Sequence, residues 1–367
     1  MIDIPVSIYD DVFYNILLFF VLILFLQSKN TTLENSSNLR NKKTLGVFLL
    51  LFSIVYIGLR PITFSHFGDM GMYNIYFTHY LEGAPLSLDG KDVGFEVFMK
   101  FCSYFMEPQF FFLTISFFYM YPFYLVSKKL FDNFWFYCVF MLLVSLSFWG
   151  SATNGLRNGL ASSIFLLVFM TDKKYVKVLI ILLAISFHKS LMITSGAYIA
   201  SMYYRNTMTY LKAWFVAIPL SLVLGGFWET LFLSFGFGDD DKLTNYLVEN
   251  EELVERFSSS GFRWDFLLYS GIGVFAAWYF IIKRKYEDEL YKHMVNTYLI
   301  TNAFWILVIR ANYSNRFAFL SWFMLAFIII YPLLKSKFFE RQHVVVGNII
   351  VCYFLFTYML NIVFSKF

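Results

Sequence analysis

Blocks of apolar residues, separated by short polar stretches, run along almost the whole chain. A helix of roughly 20 residues spans the roughly 30 Å hydrocarbon core of a bilayer, and most blocks approach that length. The pattern predicts about 12 membrane-spanning helices and therefore an all-α membrane fold. Their expected bounds are 12–28, 44–59, 109–127, 132–150, 156–171, 174–189, 190–204, 212–235, 266–282, 293–309, 316–334 and 344–363.

Two polar stretches between the predicted spans are long enough to fold over the outer membrane surface. The first, residues 60–108, contains the apolar stretch 93–106, which is short for a crossing and ends at a Glu-Pro pair. We expect it to form a short interfacial or re-entrant helix. The second, residues 236–265, is acidic. Its three adjacent acids, 239–241, favour a solvated loop over a metal site, because no other residue there has ligand spacing.

Composition and charge agree with a membrane protein and predict its orientation. The chain is 59% hydrophobic and only 15% charged, whereas a soluble domain of 367 residues needs a more polar surface. Loops on one side of the predicted layout hold 18 of the 29 Lys and Arg residues and seven of the 25 acids. Because Lys and Arg are enriched in cytoplasmic loops, this face is predicted to be cytoplasmic and both termini to be outside. Residues 1–367 are predicted to form one polytopic domain.

Four arginines depart from this charge distribution, because they lie at the outer ends of predicted spans. They are Arg60, Arg157, Arg310 and Arg316. Ionisable groups next to lipid are unfavourable without a partner, and the planar guanidinium matches phosphate or carboxylate oxygens. Together the four predict a site for an anionic ligand just above the membrane. Anchoring to lipid headgroups is the alternative for each of them.

Three further residues of the outer face are candidates for proton transfer. His188 lies at the turn between two predicted spans, and its ordinary pKa near neutrality suits proton transfer or phosphate contact. A structural hydrogen-bonding role is the alternative. Asp69 and Glu96 are predicted close to the same surface, where either could act as a base or orient the arginines. No metal ion and no cofactor is expected.

Short motifs follow one another between residues 45 and 335 of the chain. They are Gly58-Leu59-Arg60, Gly68-Asp69, Tyr73, Phe77, Gly94-Phe95-Glu96, Leu156-Arg157-Asn158-Gly159-Leu160-Ala161, Phe187-His188-Lys189-Ser190 and Arg316-Phe317. In this order they resemble the motifs of the EpsG and Wzy-type polysaccharide polymerases, including that family's Arg-Gln-x-Leu-Ala helix start and its Phe-His-x-Ser. Two positions depart from the family pattern: Met70, where Tyr is frequent, and Asn158 in place of Gln.

The resemblance implies a GT-C-like fold and a metal-independent glycosyltransferase. Its expected substrates are polyprenyl-diphosphate-linked oligosaccharide repeat units, joined at the outer (periplasmic) face of a bacterial inner membrane. A flippase and a chain-length regulator are expected as partners, and nucleic acid is not. The roles implied for the candidate residues are diphosphate binding by Arg157, Arg310 and Arg316, acceptor deprotonation by Asp69 or His188, and support from Arg60 and Glu96.

Other classes of membrane protein remain open at this point. A flippase or transporter of lipid-linked oligosaccharide is one, although transport pathways usually place charged or helix-breaking residues near mid-membrane. An O-antigen ligase would share a lipid-diphosphate site. A membrane acyltransferase would need a His-Asp type pair near the cytoplasmic side, and no such motif surrounds His293 or His343. A structural or receptor role is the remaining alternative.

Overall fold

The computed structural model describes residues 4–64, 66–87, 92–234, 261–311 and 314–364, and every regular element in these ranges is helical. The prediction of an all-α protein is therefore confirmed. The α-helices are α1 (Tyr9–Asn30), α2 (Ser36–Gly58), α3 (Gly68–Leu81), α4 (Val93–Ser103), α5 (Pro108–Phe131), α6 (Trp135–Leu143), α7 (Leu146–Thr153), α8 (Leu156–Leu166), α9 (Lys174–Phe187), α10 (Leu191–Tyr203), α11 (Thr207–Ser234), α12 (Trp264–Ala277), α13 (Glu289–Leu307), α14 (Asn315–Trp322), α15 (Leu325–Lys335) and α16 (Gln342–Tyr358). The predicted acidic loop lies mostly outside the described residues.

Seven helical runs among the described residues are long and apolar enough to cross a membrane. They are Val6–Asn30, Ser36–Gly58, Pro108–Leu143, Thr207–Trp228, Trp264–Lys283, Asn315–Lys335 and Gln342–Val363. The predicted span 156–171 corresponds to a shorter apolar run, Leu156–Met170. Helices α9 and α10, with 14 and 13 residues, correspond to the spans predicted at 174–189 and 190–204. The chain is thus a multi-helix membrane protein, and the count of 12 spans stays a prediction.

The longest of these runs contains a turn that separates two predicted spans. Asp132, between α5 and α6, has a φ of 43°, a value that few non-glycine residues adopt. Beyond it the chain folds back, because the rings of Trp135 and Tyr124 lie 5.1 Å apart, whereas 11 residues of continuous helix would separate them by about 16 Å. The turn agrees with the boundary predicted between the spans 109–127 and 132–150.

Contacts divide the chain into two compact units. Unit 1 comprises Met1–His188 and Ile330–Phe367, and unit 2 comprises Lys189–Ile329. Within unit 1, glycines allow close helix packing: a Cβ at Gly58 in α2 would lie 2.6 Å from the Cα of Leu113 in α5. The prediction of a single polytopic domain remains untested.

Helix α4, which unit 1 contains, corresponds to the predicted interfacial or re-entrant segment. Its 11 residues are about 16 Å long, roughly half the thickness of the hydrocarbon core, so α4 does not cross a membrane by itself. Val93, Val97 and Phe101 recur at helical spacing on it, and 37%, 46% and 61% of their surfaces are exposed. Phe105, just beyond the helix, is 60% exposed. This apolar stripe agrees with contact to lipid.

A buried polar network connects the helices of unit 2. The Asn302 amide, on α13, accepts a hydrogen bond from the Trp214 indole at 2.7 Å and donates to the hydroxyls of Ser270 and Ser321 at 3.1 and 3.0 Å. The Trp322 indole also donates to the Ser270 hydroxyl, at 2.7 Å. All members are uncharged, and interhelical hydrogen bonds of this kind stabilise packed membrane helices.

Asn302→Leu is expected to destabilise unit 2. Leucine has a similar volume but leaves the Trp214 indole without its acceptor, and each such interhelical hydrogen bond contributes about 0.6–2 kcal/mol in a membrane. Thermal unfolding of the purified protein in detergent should show a lower melting temperature. Ser195→Ala is the control, because the buried Ser195 hydroxyl has no hydrogen-bond partner within the described ranges. Equal melting of both variants and the parent would contradict a stabilising network.

Candidate active site

Arg157, one of the predicted site residues, is the second residue of α8 and lies near the preceding helix α7. Gly159, two residues further along α8, packs against the backbone of Ser151 in α7, and an added Cβ would lie 3.2 Å from the Ser151 carbonyl carbon. This close approach holds the start of α8 against α7. The Arg157 side chain is 30% exposed, so it is held by the protein but is accessible from solvent.

Arg157 binds Asp92, a residue that the sequence reasoning did not select. Arg157 Nη1 donates to Asp92 Oδ2 at 2.7 Å, a charge-assisted hydrogen bond. Asp92 immediately precedes α4, and its backbone carbonyl accepts from the amides of Phe95 and Glu96. Its side chain makes no capping hydrogen bond to α4 and is only 5% exposed. The carboxylate therefore points into the protein toward Arg157.

His188 reaches the same carboxylate oxygen from a third helix. It follows the last residue of α9, and its Nδ1 lies 3.1 Å from Asp92 Oδ2. Gly94 allows this contact because it packs directly on Ser186, where an added Cβ would clash with the serine hydroxyl and lie 2.9 Å from the backbone carbon. The Phe98 and Phe187 rings, 5.8 Å apart, also join α4 to α9.

Tyr73 of α3 completes what we call the Asp92 cluster: Tyr73, Asp92, Arg157 and His188. The Tyr73 hydroxyl accepts a hydrogen bond from Arg157 Nε at 2.9 Å. Tyr73 in α3 and Asp92, directly before α4, thus each bind one donor of the guanidinium. These two contacts limit the rotation of the Arg157 side chain. Asp69 lies one turn before Tyr73, in the first turn of α3, and is half-buried. Its helical spacing from Tyr73 places both residues on one face of α3.

Glu96 lies in the first turn of α4, where it binds another tyrosine. The Tyr80 hydroxyl donates to Glu96 Oε2 at 2.8 Å, and burial together with this carboxylate raises the pKa of Tyr80. One turn further along α4, Lys100 Nζ donates to the carbonyl oxygen of Ala84 at 2.8 Å. These contacts connect α4 with α3 and with the chain that follows α3. The supporting role of Glu96 stays a prediction.

Arg60 is fully buried, unlike Arg157. Its guanidinium donates to the carbonyl oxygens of Ile57 at 2.6 Å and Thr153 at 2.9 Å, and it contacts the rings of Phe67 and Phe112. Burial lowers the pKa of Arg60 to about 9, so the group is still charged near neutral pH. Thr153 is the last residue of α7 and lies shortly before Arg157. The Arg60 side chain therefore connects the end of α2 with the segment between α7 and α8. Binding of a diphosphate by Arg60 remains a prediction.

Arg310 and Arg316 are the other two arginines predicted to bind the diphosphate. They belong to unit 2, and both are exposed. Arg316 is in the first turn of α14. Arg310 lies between α13 and α14, with its side chain against Gly225, where an added Cβ would be 3.2 Å from Arg310 Cδ. Gly225 follows Leu224, whose φ of −121° marks a kink in α11. The glycine pair at 225–226 is a common cause of such kinks.

The described residues contain no group of three or more His, Cys, Asp or Glu side chains placed to hold a metal ion. The acids at 239–241, considered above as a metal site, lie outside the described ranges.

Comparison with known families places this geometry in context. The model of the EpsG family matches residues 43–367, which include the Asp92 cluster and all seven predicted site residues. The chain belongs to the EpsG family. Neither a curated protein nor a solved structure matches it. The resemblance seen in the sequence motifs is thereby confirmed, and the family relates this membrane protein to polysaccharide polymerases.

In this EpsG-family protein, the Asp92 cluster combines groups that can bind an anion and transfer a proton. Arg157 offers hydrogen-bond donors on a fixed cation, as recognition of phosphate or carboxylate requires. His188 supplies an imidazole, a group that can act as a proton donor or acceptor in catalysis. Asp92 joins the two, because both contact the same oxygen atom. Asp92, Arg157 and His188 lie at the ends of α4, α8 and α9, and Tyr73 adds its hydroxyl from α3.

Proposed function

We propose that this EpsG-family protein is a polysaccharide polymerase. It joins polyprenyl-diphosphate-linked oligosaccharide repeat units at the outer face of the bacterial inner membrane, in a GT-C-like arrangement of about 12 spans. The observation that carries the proposal is the convergence of Arg157, Asp92 and His188 at helix ends. The net charges of the two predicted faces, +11 and −7, support an outer position for this surface.

The reaction is the transfer of one growing chain to the next unit. An acceptor hydroxyl oxygen forms a bond with the anomeric carbon of the donor sugar, and the bond from that carbon to the diphosphate oxygen breaks. The electron pair leaves with polyprenyl diphosphate, and the hydroxyl proton moves to a base. Negative charge grows on the leaving diphosphate, so fixed cations stabilise the transition state more than the bound substrate.

The candidate residues divide into three roles. Arg157, Arg310 and Arg316 bind diphosphate oxygens, since all three are exposed or partly exposed cations. His188 or Asp69 accepts the proton. Arg60 and Glu96 support the site through contacts with backbone and with Tyr80, as their buried or bonded positions favour.

A flippase of the same lipid-linked sugar is the second candidate from another class. Transport pathways usually carry ionisable groups in mid-membrane. The intramembrane network around Asn302 is polar but uncharged, and the ion pairs of the Asp92 cluster lie at helix ends. This distribution favours surface chemistry over transport. An O-antigen ligase shares the donor but transfers it to a different lipid acceptor.

Purified full-length protein in vesicles, given a single polyprenyl-diphosphate-linked repeat unit, is expected to form a ladder of lipid-linked polymers. Formation should persist in EDTA, because arginines supply the positive charge that a divalent metal provides elsewhere. Gel separation of the labelled products measures both results. Translocation without a ladder would favour the flippase. Transfer only to a second type of lipid would favour the ligase, and a ladder lost in EDTA and restored by Mg²⁺ would contradict metal independence.

A further inference from the structure

The geometry points to Asp92 as a positioning residue that occupies Arg157 while the site is empty and is released to His188 when a diphosphate binds. The inference rests on the proposed function and deepens it. It makes His188, rather than Asp69, the base, and it gives Asp92 two successive partners.

Arg157 and His188 share one oxygen atom of Asp92. Asp92 Oδ2 lies 2.7 Å from Arg157 Nη1 and 3.1 Å from His188 Nδ1, so cation and imidazole meet at one carboxylate oxygen. The carboxylate is only 5% exposed. A charge that is so little hydrated depends on its partners, and losing one strengthens its interaction with the other.

Asp92 and the diphosphate compete for Arg157. The Nε and Nη1 donors of Arg157 point to Tyr73 and Asp92. An incoming diphosphate needs the same cation and meets a carboxylate of like charge beside it. Asp92 therefore weakens anion binding, and removing its charge should strengthen it. This expectation is opposite to that for a residue which only supports the structure.

Asp92 also orients His188 as the proton acceptor. When Nδ1 carries the proton donated to Asp92, Nε2 holds the lone pair that can accept a proton, and Nε2 has no hydrogen bond within the described residues. The hydroxyl proton moves to Nε2 as the new glycosidic C–O bond forms. The electron pair of the breaking bond leaves on the diphosphate next to Arg157. The resulting imidazolium faces Asp92. Because Arg157 is then bound to the diphosphate, the negative charge of Asp92 interacts less with Arg157 and stabilises the imidazolium.

Asp92→Asn separates these effects. We expect it to lower the Kd for inorganic pyrophosphate at least about fivefold, because a nearby negative charge is removed. The same variant should form polymer about a hundredfold more slowly, because His188 loses the carboxylate that orients it. Titration calorimetry on the full-length protein in detergent measures the first effect, and the vesicle polymer assay measures the second. The control is Glu289→Gln, which neutralises an exposed carboxylate that is likewise paired with an arginine, Arg205, at 3.0 Å.

Two further variants complete the test. His188→Gln should slow polymer formation and leave the pyrophosphate Kd nearly unchanged, whereas Arg157→Gln should raise the Kd. If Asp92→Asn weakened pyrophosphate binding, or left polymer formation at the parental rate, the inference would be overturned. If Arg157→Gln left the Kd unchanged, the diphosphate site of the proposed function would fail instead. Should Asp92→Asn not fold, Asp92→Ser tests the same opposite changes in Kd and rate.

Discussion

Replacing Arg157 by Lys is expected to slow polymer formation about a hundredfold although the charge is kept, the effect typical of losing one donor in a preorganised anion site. Arginine offers a planar fork whose Nε is held by Tyr73 and whose Nη1 lies at Asp92. Lysine has a single ammonium on a flexible chain and cannot bridge two phosphate oxygens while also keeping the contact with Tyr73. The measurement is the ladder of lipid-linked polymer at equal amounts of protein in the membrane.

Arg205→Lys is the matched control for this experiment. Arg205 also forms an ion pair with a carboxylate, that of Glu289, but its side chain is 70% exposed and lies outside the candidate site. Exposed pairs of this kind contribute little to stability, so the control should form a normal ladder. If Arg157→Lys also formed a normal ladder, diphosphate binding by Arg157 would be contradicted, and the alternative role of anchoring to lipid headgroups would apply.

Gly94→Val is expected to remove most activity without changing any group that reacts. The added side chain would enter the space of Ser186 and force α4 away from α9. Overpacking of this kind costs about 1–3 kcal/mol of stability. The larger effect is on activity, since a displacement of about 1 Å between Asp92 and His188 can slow a reaction about a hundredfold. The rate of polymer formation and the melting temperature should be measured together.

A second substitution identifies the cause of that loss. Gly94→Ala combined with Ser186→Gly should recover part of the activity lost in Gly94→Ala alone, because the serine hydroxyl is the atom nearest to the added Cβ. Gly271→Ala is the control in another membrane helix, since no atom lies within 4 Å of a Cβ at that position. Full activity of Gly94→Val would show that the α4–α9 contact does not set the geometry of the cluster.

The helical fold was predictable because long apolar blocks in this chain have few alternatives to membrane helices. The individual spans were less predictable. The block 132–150 was expected as one span, but it forms α6 and α7, with a break at Val144 and Ser145. A hydropathy profile averages over such breaks, because one window covers residues on both sides of the break. Only backbone geometry distinguishes a continuous helix from two short ones.

The site was partly predictable, for a reason that its residues illustrate. Arg157 and His188 were selected because a charge or an imidazole at the end of an apolar block is conspicuous. Asp92 was not selected, because it lies in a polar stretch where acidic residues are common. The available signal was its position directly before a predicted helix. The burial of Arg60 could not be predicted from the sequence either, because its partners include the carbonyl oxygen of Thr153, which is 93 residues away.

The contacts that define the Asp92 cluster are all distant in sequence, at separations of 65, 84 and 96 residues. No local segment holds even two of its members in contact. During synthesis the cluster can be completed only after α9 and His188 have left the ribosome, whereas Arg157 and Asp92 are available earlier. The Arg157–Asp92 pair therefore has the opportunity to form first, because a chain that ends before α9 lacks the imidazole of His188.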